Sequence, residues 1–178
     1  MGQDVIGVGS VVIDLKSTVS SIPKLDEVVI ATDHHKHMGG PTANALATLQ
    51  RLGMTTQFMG KVGDDEYGNM IAKAMGIEGI DHSQLELGKD TTTGFATVMV
   101  DEETKRRSIF VYIGHLRTVP ESCIDEDAIR NARLLQIDSG TPAAMKACRV
   151  ASDAGIPISV DADVPYPNLE EVLEMATI

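Results

Sequence analysis

Tryptophan is absent from this sequence, and only three Phe and three Tyr stand among its 178 residues. A core so poor in rings must be filled by aliphatic side chains and by the nine Met. Basic residues are short as well: 15 Lys and Arg face 26 Asp and Glu, for a formal net charge of −11. That balance removes the basic footprint with which a protein holds nucleic acid or an anionic membrane, so neither is an expected partner; it leaves room for a local anion site made of backbone amides. Cysteine is limited to Cys123 and Cys148, which form no close pair. A disulfide framework and a zinc knuckle are thereby excluded, and two reduced thiols are expected. No apolar run approaches the roughly 18 residues of a membrane span. The opening MGQDVIGVGSVVIDL carries Asp4 and Asp14, lacks the basic start and cleavage pattern of a secretory signal, and has Ile6 where a myristoylation motif wants Ser or Thr. A cytoplasmic location is the expectation.

What is present is ordinary in bulk, with 43% hydrophobic and 23% charged residues. The length suits one well-packed domain, or one domain with a small flap. Val5 to Val12 is a short apolar run that reads as a buried strand ending near Asp14. Between Ser17 and Ala31 the pieces TVSSI and EVVIA, split by Pro23-Lys24-Leu25-Asp26, suggest a hairpin-like excursion. Leu46, Leu49 and Leu52 fall at helical spacing before Gly53, and Thr56 to Val62 reads as another buried strand. Glu66 to Met75 predicts a helix with Met70, Ile71 and Met75 on one side. TTGFATVMV at 92–100 and SIFVYI at 108–113 are strand-like, separated by the charged turn DEETKRR. A helix around Asp125 to Ala132 leads to the strand LLQID, then to a helix capped by Thr141 with Pro142 at its first position and Gly155 as its stop. IPISVDAD gives one more strand and PNLEEVLEMA a last helix. Strands alternating with helices predict parallel βαβ units, hence a three-layer α/β/α sandwich. The hairpin-like segments, about 15–37 and 92–114, are expected to form a small β flap beside it. An open sheet continues until its edges are covered, so a chain stopping at Ile178 reads as incomplete at the C-terminus.

Several patterns invite a chemical reading. Gly7-Val8-Gly9 lacks the third glycine of a dinucleotide fingerprint, because Val12 stands there, and it does not open into a helix. Strand-end packing explains it better. The Gly39-Gly40 turn is followed by Pro41-Thr42-Ala43-Asn44, not by the Lys and Ser or Thr of a phosphate loop. What remains is a turn that lets a ligand touch backbone, followed by Asn44, whose amide offers both donor and acceptor to a vicinal diol; the plain alternative is a turn with Asn44 capping or packing. His34, His35 and His37 read as solvated, since neighbours in a strand or loop point to opposite sides and no acid-rich companion is present. Asp64 and Asp65 suit a helix N-terminus. Asp161 and Asp163 flank a strand end, the side where open α/β sheets bind ligands.

Taken in order, Gly39-Gly40-x-x-x-Asn44, then Leu52-Gly53, then Gly60-Lys61-Val62-Gly63-Asp64-Asp65-x-x-Gly68 resembles the N-terminal signature of the ribokinase-like (PfkB-type) carbohydrate kinases. Gly9-Ser10 with Asp14, Thr93-Gly94, and Asp138 at a later strand end agree with it. The resemblance covers essentially the whole chain but only the N-terminal part of a family member. It implies a ribokinase-like, Rossmann-like sandwich with a β-sheet lid, and transfer of the γ-phosphoryl group of ATP to a sugar hydroxyl with Mg2+ and, in a full-length protein, a monovalent cation. Residue by residue, it implies that Asp14 accepts hydrogen bonds from sugar hydroxyls, that Gly39 and Gly40 let the ring approach backbone, and that Asn44 binds further hydroxyls. Ala96, Phe110 and Tyr112 would lie on the lid over the sugar, Asp138 would contact substrate or the phosphate-side network, and Asp161 and Asp163 would stand near phosphates and Mg2+. Homodimers through the lid are also implied.

The family's C-terminal Gly-Ala-Gly-Asp motif, whose Asp is the general base, is absent from this sequence. An isolated chain is therefore expected to hold sugar-side groups without turning substrate over. Ribokinases proper usually carry Lys where this chain has Pro41, which leaves ketoses, sugar acids and nucleosides open beside ribose. A nucleoside kinase of the same family is one alternative, and a non-catalytic sugar-binding or dimerisation module is another.

Overall fold

The computed structural model describes residues 2–114, 119–162 and 165–178. Two sheets organise them. The first is all parallel, in the order β5-β4-β1-β8-β9, built from β1 (Val5–Val8), β4 (Thr56–Gly63), β5 (Asp81–Gly88), β8 (Leu134–Ile137) and β9 (Ile158–Val160). Along β1 and β4, successive side chains enter opposite cores, as the period of two requires. Val5 and Phe58 pack with Leu46 of α1 (Pro41–Arg51) and with Ile71 and Met75 of α2 (Glu66–Glu78). Ile6 and Met59 pack instead with Ile129 of α3 (Glu126–Arg130), Ala144 and Cys148 of α4 (Pro142–Asp153), and Val172 of α5 (Leu169–Met175). Helices thus cover both faces, and the three-layer α/β/α expectation holds. Aliphatic residues and Met fill both cores, with Phe58 as the one large ring wholly buried among the described residues.

The second sheet has the order β3-β2-β6-β7, from β2 (Val12–Val19), β3 (Ala31–Gly39), β6 (Phe95–Asp101) and β7 (Arg107–Tyr112). Its existence corrects the reading of Val5 to Val12 as one strand. The chain leaves the first sheet at Val8 and joins the second at Val12, because Gly9-Ser10 turns it: a side chain on Gly9 would collide with Thr42 and Asp138. The segment EVVIA is not the returning strand either. Residues 20–30 form a connection with Leu25, Val28 and Ile30 exposed at 96%, 92% and 83%, and β3 starts only at Ala31. Pairing of Val12 with Gly39 and of Asp14 with His37 fixes that register, so the exposed histidines lie in a strand. β5 escaped the sequence reading because an edge strand as polar as DHSQLELG carries little apolar alternation. Leu52 stands exposed just beyond α1, outside its buried stripe.

Local signals elsewhere read true. Thr141 caps α4 by accepting a hydrogen bond from the Ala144 amide, with Pro142 at the first position. Asp65 caps α2 through the Gly68 amide. Residues 177 and 178 run beside β9, with Thr177 N donating to Ile158 O at 2.8 Å and Val160 N to Ile178 O at 3.1 Å.

Candidate active site

A cleft of about 840 Å3 opens where the second sheet and the head of α1 meet the β8–β9 side of the first sheet, and Asp14, Gly40, Pro41, Asn44 and Asp161 line it. Sequence positions far apart converge there for simple reasons. β2 carries Asp14, the β3–α1 turn carries Gly40, and the first turn of α1 presents Asn44 one turn further on. Gly40 has φ of 99°, in the left-handed region, and a Cβ there would lie 2.6 Å from Ser10 O. Only glycine permits that close passage of backbone. Gly39 does not itself line the cleft; it lies behind Asp14, leaving room that a Cβ would take from the carboxylate, at 2.3 Å from Oδ2. Ala96 pairs with Asp14 across the ladder and is buried beside it.

Asp14 is half-buried, and burial pushes its pKa above the ordinary value while His37 pulls it partly back. His37 Nδ1 stands 3.8 Å from Asp14 Oδ2.

Asp138, expected to contact substrate or the phosphate-side network, lies behind the turn and helix start that line the cleft. Its side chain is turned inward, only 8% exposed. Oδ1 accepts from Ser10 N at 2.8 Å and from Ser10 Oγ at 3.1 Å, and Oδ2 accepts from Thr42 N at 3.0 Å. Burial raises its pKa despite these bonds from Thr42 and Ser10.

The residues expected on the lid also divide. Strand pairing aligns Asp14 with Ala96 and Ala96 with Val111, so these three share a face. Phe110 and Tyr112, one residue to either side, point away from the cleft. Tyr112 packs on Phe95 with ring centroids 5.4 Å apart, and Phe110 is 63% exposed. Val98, Ile109 and Arg107 reach the cleft instead. SIFVY is apolar at both parities, so its pattern could not tell which face turns inward.

Asp161 follows β9 on the cleft side, its amide bonded to Ile137 O at 2.9 Å. Asp163 lies outside the described residues. His35 pairs with Asp33 and His34 with Ser17 Oγ, and among the described residues no three His, Cys, Asp or Glu side chains gather as metal ligands. Asp65 has a second task beyond its cap: Oδ2 accepts from Thr93 N at 2.8 Å, while Thr93 Oγ1 accepts from Gly63 N at 2.9 Å. Those bonds tie the end of β4 to the segment that enters β6. Cys123 and Cys148 are buried, their thiols pushed up to about 11 and about 12 by burial, which suits packing and not nucleophilic chemistry.

Comparison with known proteins gives one consistent picture. Residues 3–178 match the family described as pfkB family carbohydrate kinase. A 5-dehydro-2-deoxygluconokinase of Clostridium perfringens is 33% identical over 184 residues, which span 97% of this chain and 53% of that protein. A ribokinase of Arabidopsis thaliana is 28% identical over 170 residues, 90% of this chain and 45% of that protein. The structure of Arabidopsis thaliana ribokinase complexed with ribose and ATP superposes with a TM-score of 0.81 at 27% identity, over 99% of this chain and 59% of that one. The chain spans about half the length of the curated relatives it matches.

Proposed function

The chain belongs to the pfkB family of carbohydrate kinases, and on that premise we propose that it is the sugar-binding, N-terminal part of a kinase domain that phosphorylates a sugar hydroxyl with ATP. The observation that carries this reading is the meeting of Asp14, Gly40 and Asn44 on one cleft. A carboxylate accepts hydrogen bonds from two hydroxyls, a side-chain amide donates and accepts, and bare backbone lets a hydroxylated ring lie close; together these suit a polyol. The second sheet acts as the lid. Its cleft face, with Ala96, Val98 and Ile109, excludes water from the reacting hydroxyl. Asp161 faces the nucleotide side.

Phosphoryl transfer depends on positioning the acceptor and neutralising developing charge, and ATP with Mg2+ supplies the transferred group and part of that neutralisation. The residues of this chain do not fit that group by themselves. Metal-ligating side chains do not gather among the described residues, and the first turn of α1, a natural phosphate seat, already faces the Asp138 carboxylate. The general base and the nucleotide grip are assigned to the half of the relatives' length that the chain does not span, as is any monovalent-cation site. Phe110, Leu25, Val28 and Ile30, all exposed, support self-association through the lid.

Calorimetry with ribose, fructose, sugar acids and nucleosides tests the reading. Binding of a sugar by this chain, and Mg-ATP-dependent phosphorylation of the same sugar only by a polypeptide extended into a Gly-Ala-Gly-Asp segment, is the expected result. Turnover by residues 1–178 alone overturns the division of labour. Preference for adenosine or inosine moves the reading to a nucleoside kinase, and sugar binding with no phosphorylation by the extended protein leaves a binding module.

A further inference from the structure

We propose that Asp138 is a positioning residue, which caps α1 from across the fold and so sets the backbone turn and Asn44 that meet the sugar; this rests on the sugar-site reading above. Helix α1 has an N-terminal problem of its own making. Its N-cap is Gly40, which provides no side-chain cap, and its first residue is Pro41. A Ser, Thr, Asp or Asn at 40 would ordinarily cap the helix. None fits, because of the left-handed φ and the Ser10 carbonyl 2.6 Å from where a Cβ would stand. The close approach that serves a ligand therefore removes the local cap.

The cap comes from elsewhere. Pro41 has no N–H. Thr42 N donates to Asp138 Oδ2 at 3.0 Å, Ala43 N to Ser10 O at 3.3 Å, and Asn44 N to Gly40 O at 2.9 Å. Every amide of the first turn thus has a partner. Asp138 also holds Ser10 through its amide and hydroxyl, at 2.8 and 3.1 Å. One carboxylate at the end of β8 therefore clamps two pieces: the β1–β2 turn that precedes Asp14, and the helix start that carries Asn44. Its negative charge also meets the positive end of the helix macrodipole. Gly9 belongs to the same device, since a Cβ there would lie 2.4 Å from Asp138 Oδ1.

The test uses Asp138→Asn and Ser10→Ala in the full chain, with amide chemical shifts and sugar affinity as readouts. In Asp138→Asn the Ser10 and Thr42 amide resonances, drawn downfield by the carboxylate, are expected to move upfield, and the amides of Gly39, Gly40 and Asn44 to shift with them. Affinity for the sugar that binds best is expected to fall roughly tenfold, and by the same factor for each of its monodeoxy analogues, because a misplaced site weakens every contact. Ser10→Ala, which removes one of the three donors to Asp138, is expected to give a smaller and equally uniform fall, and decides the matter if Asp138→Asn does not fold. A loss that disappears for one deoxy analogue makes Asp138 a direct ligand and overturns the proposal. Unchanged Ser10 and Thr42 resonances, or unchanged affinity, overturn it as well. If the unaltered chain binds no sugar or nucleoside, the sugar-site reading fails, while the resonances still decide whether the clamp exists.

Discussion

His37 Nδ1 lies 3.8 Å from Asp14 Oδ2, directly across the β2–β3 ladder. The pair makes the candidate site pH-sensitive in two opposite ways. Burial raises the Asp14 pKa above its ordinary 3.8, and His37 opposes the rise. The folded chain thus holds the proton more tightly than the unfolded one, so the Asp14 contribution to stability falls as pH rises from that ordinary value through the raised one. Sugar affinity runs the other way, because the ionised carboxylate is the better acceptor, and is expected to be lost as pH falls through the same raised value. Asp14→Asn should weaken sugar binding at neutral pH by tenfold or more, the scale of about 1.5–3 kcal/mol for a hydrogen bond to a charged group, while the melting temperature stays level or rises. His37→Ala should move the acid limb of the binding profile to higher pH. Calorimetry across roughly pH 4 to 8 measures each effect.

Gly39 and Gly40 should respond differently to the same substitution. At Gly40 an added methyl meets backbone, Ser10 O at 2.6 Å, and the φ of 99° is strained for any L side chain. Gly40→Ala is expected to destabilise the fold by about 1–3 kcal/mol, read by denaturant unfolding. At Gly39 the methyl meets the Asp14 carboxylate, which can swing aside. Gly39→Ala should therefore abolish most sugar affinity with a smaller loss of stability.

How much of this was legible in the sequence depended on how far each feature reaches along the chain. The caps at Asp65 and Thr141 are local, with a donor three residues away, and could be read directly. The α/β layering followed from apolar runs of ordinary period. Asp138 could not be placed that way, because its partner Ser10 is 128 residues distant and nothing nearby reveals which way the carboxylate turns. Nor could the faces of β7, where Ile109, Phe110, Val111 and Tyr112 are all apolar or aromatic and only the pairing with β6 separates them. The split of Val5 to Val12 between two sheets hinged on Gly9, whose necessity appears only once Thr42 and Asp138 are folded against it.

The outward faces of β7 predict a separation between association and binding. Phe110 is exposed and lies on the face opposite Asp14. Phe110→Ser is expected to lower self-association, measured by sedimentation velocity over a concentration series, without changing sugar affinity. Ile109 lines the cleft, so Ile109→Ser should lower affinity several-fold. A fall in affinity for Phe110→Ser would place the lid against the sugar in the opposite sense.

The bond from Thr93 N to Asp65 Oδ2, 2.8 Å long, joins the start of α2 to the segment by which the chain enters β6. The same carboxylate caps α2 through Gly68 N at 2.9 Å, and Thr93 Oγ1 holds Gly63 N at the end of β4. Burial would raise the Asp65 pKa, but the amides of Thr93 and Gly68 outweigh it and hold the carboxyl below the ordinary value. The folded state therefore favours the ionised form, and this stabilisation is present above the unfolded pKa and lost as pH falls through the folded one. Asp65→Ala removes a helix cap, about 1 kcal/mol, and leaves a buried amide unmatched, about 1–3 kcal/mol more. The expected loss is thus about 2–4 kcal/mol at neutral pH, shrinking in acid as the parent loses the same charge. Thr93→Val keeps the shape and the amide bond to Asp65 but removes the hydroxyl that holds Gly63 and adds to the lowering of the Asp65 pKa, so it should cost less than Asp65→Ala at neutral pH and show a weaker acid dependence. Urea unfolding of both variants at neutral and acid pH distinguishes them, and equal losses at every pH would show that Asp65 acts by packing and not by its charge.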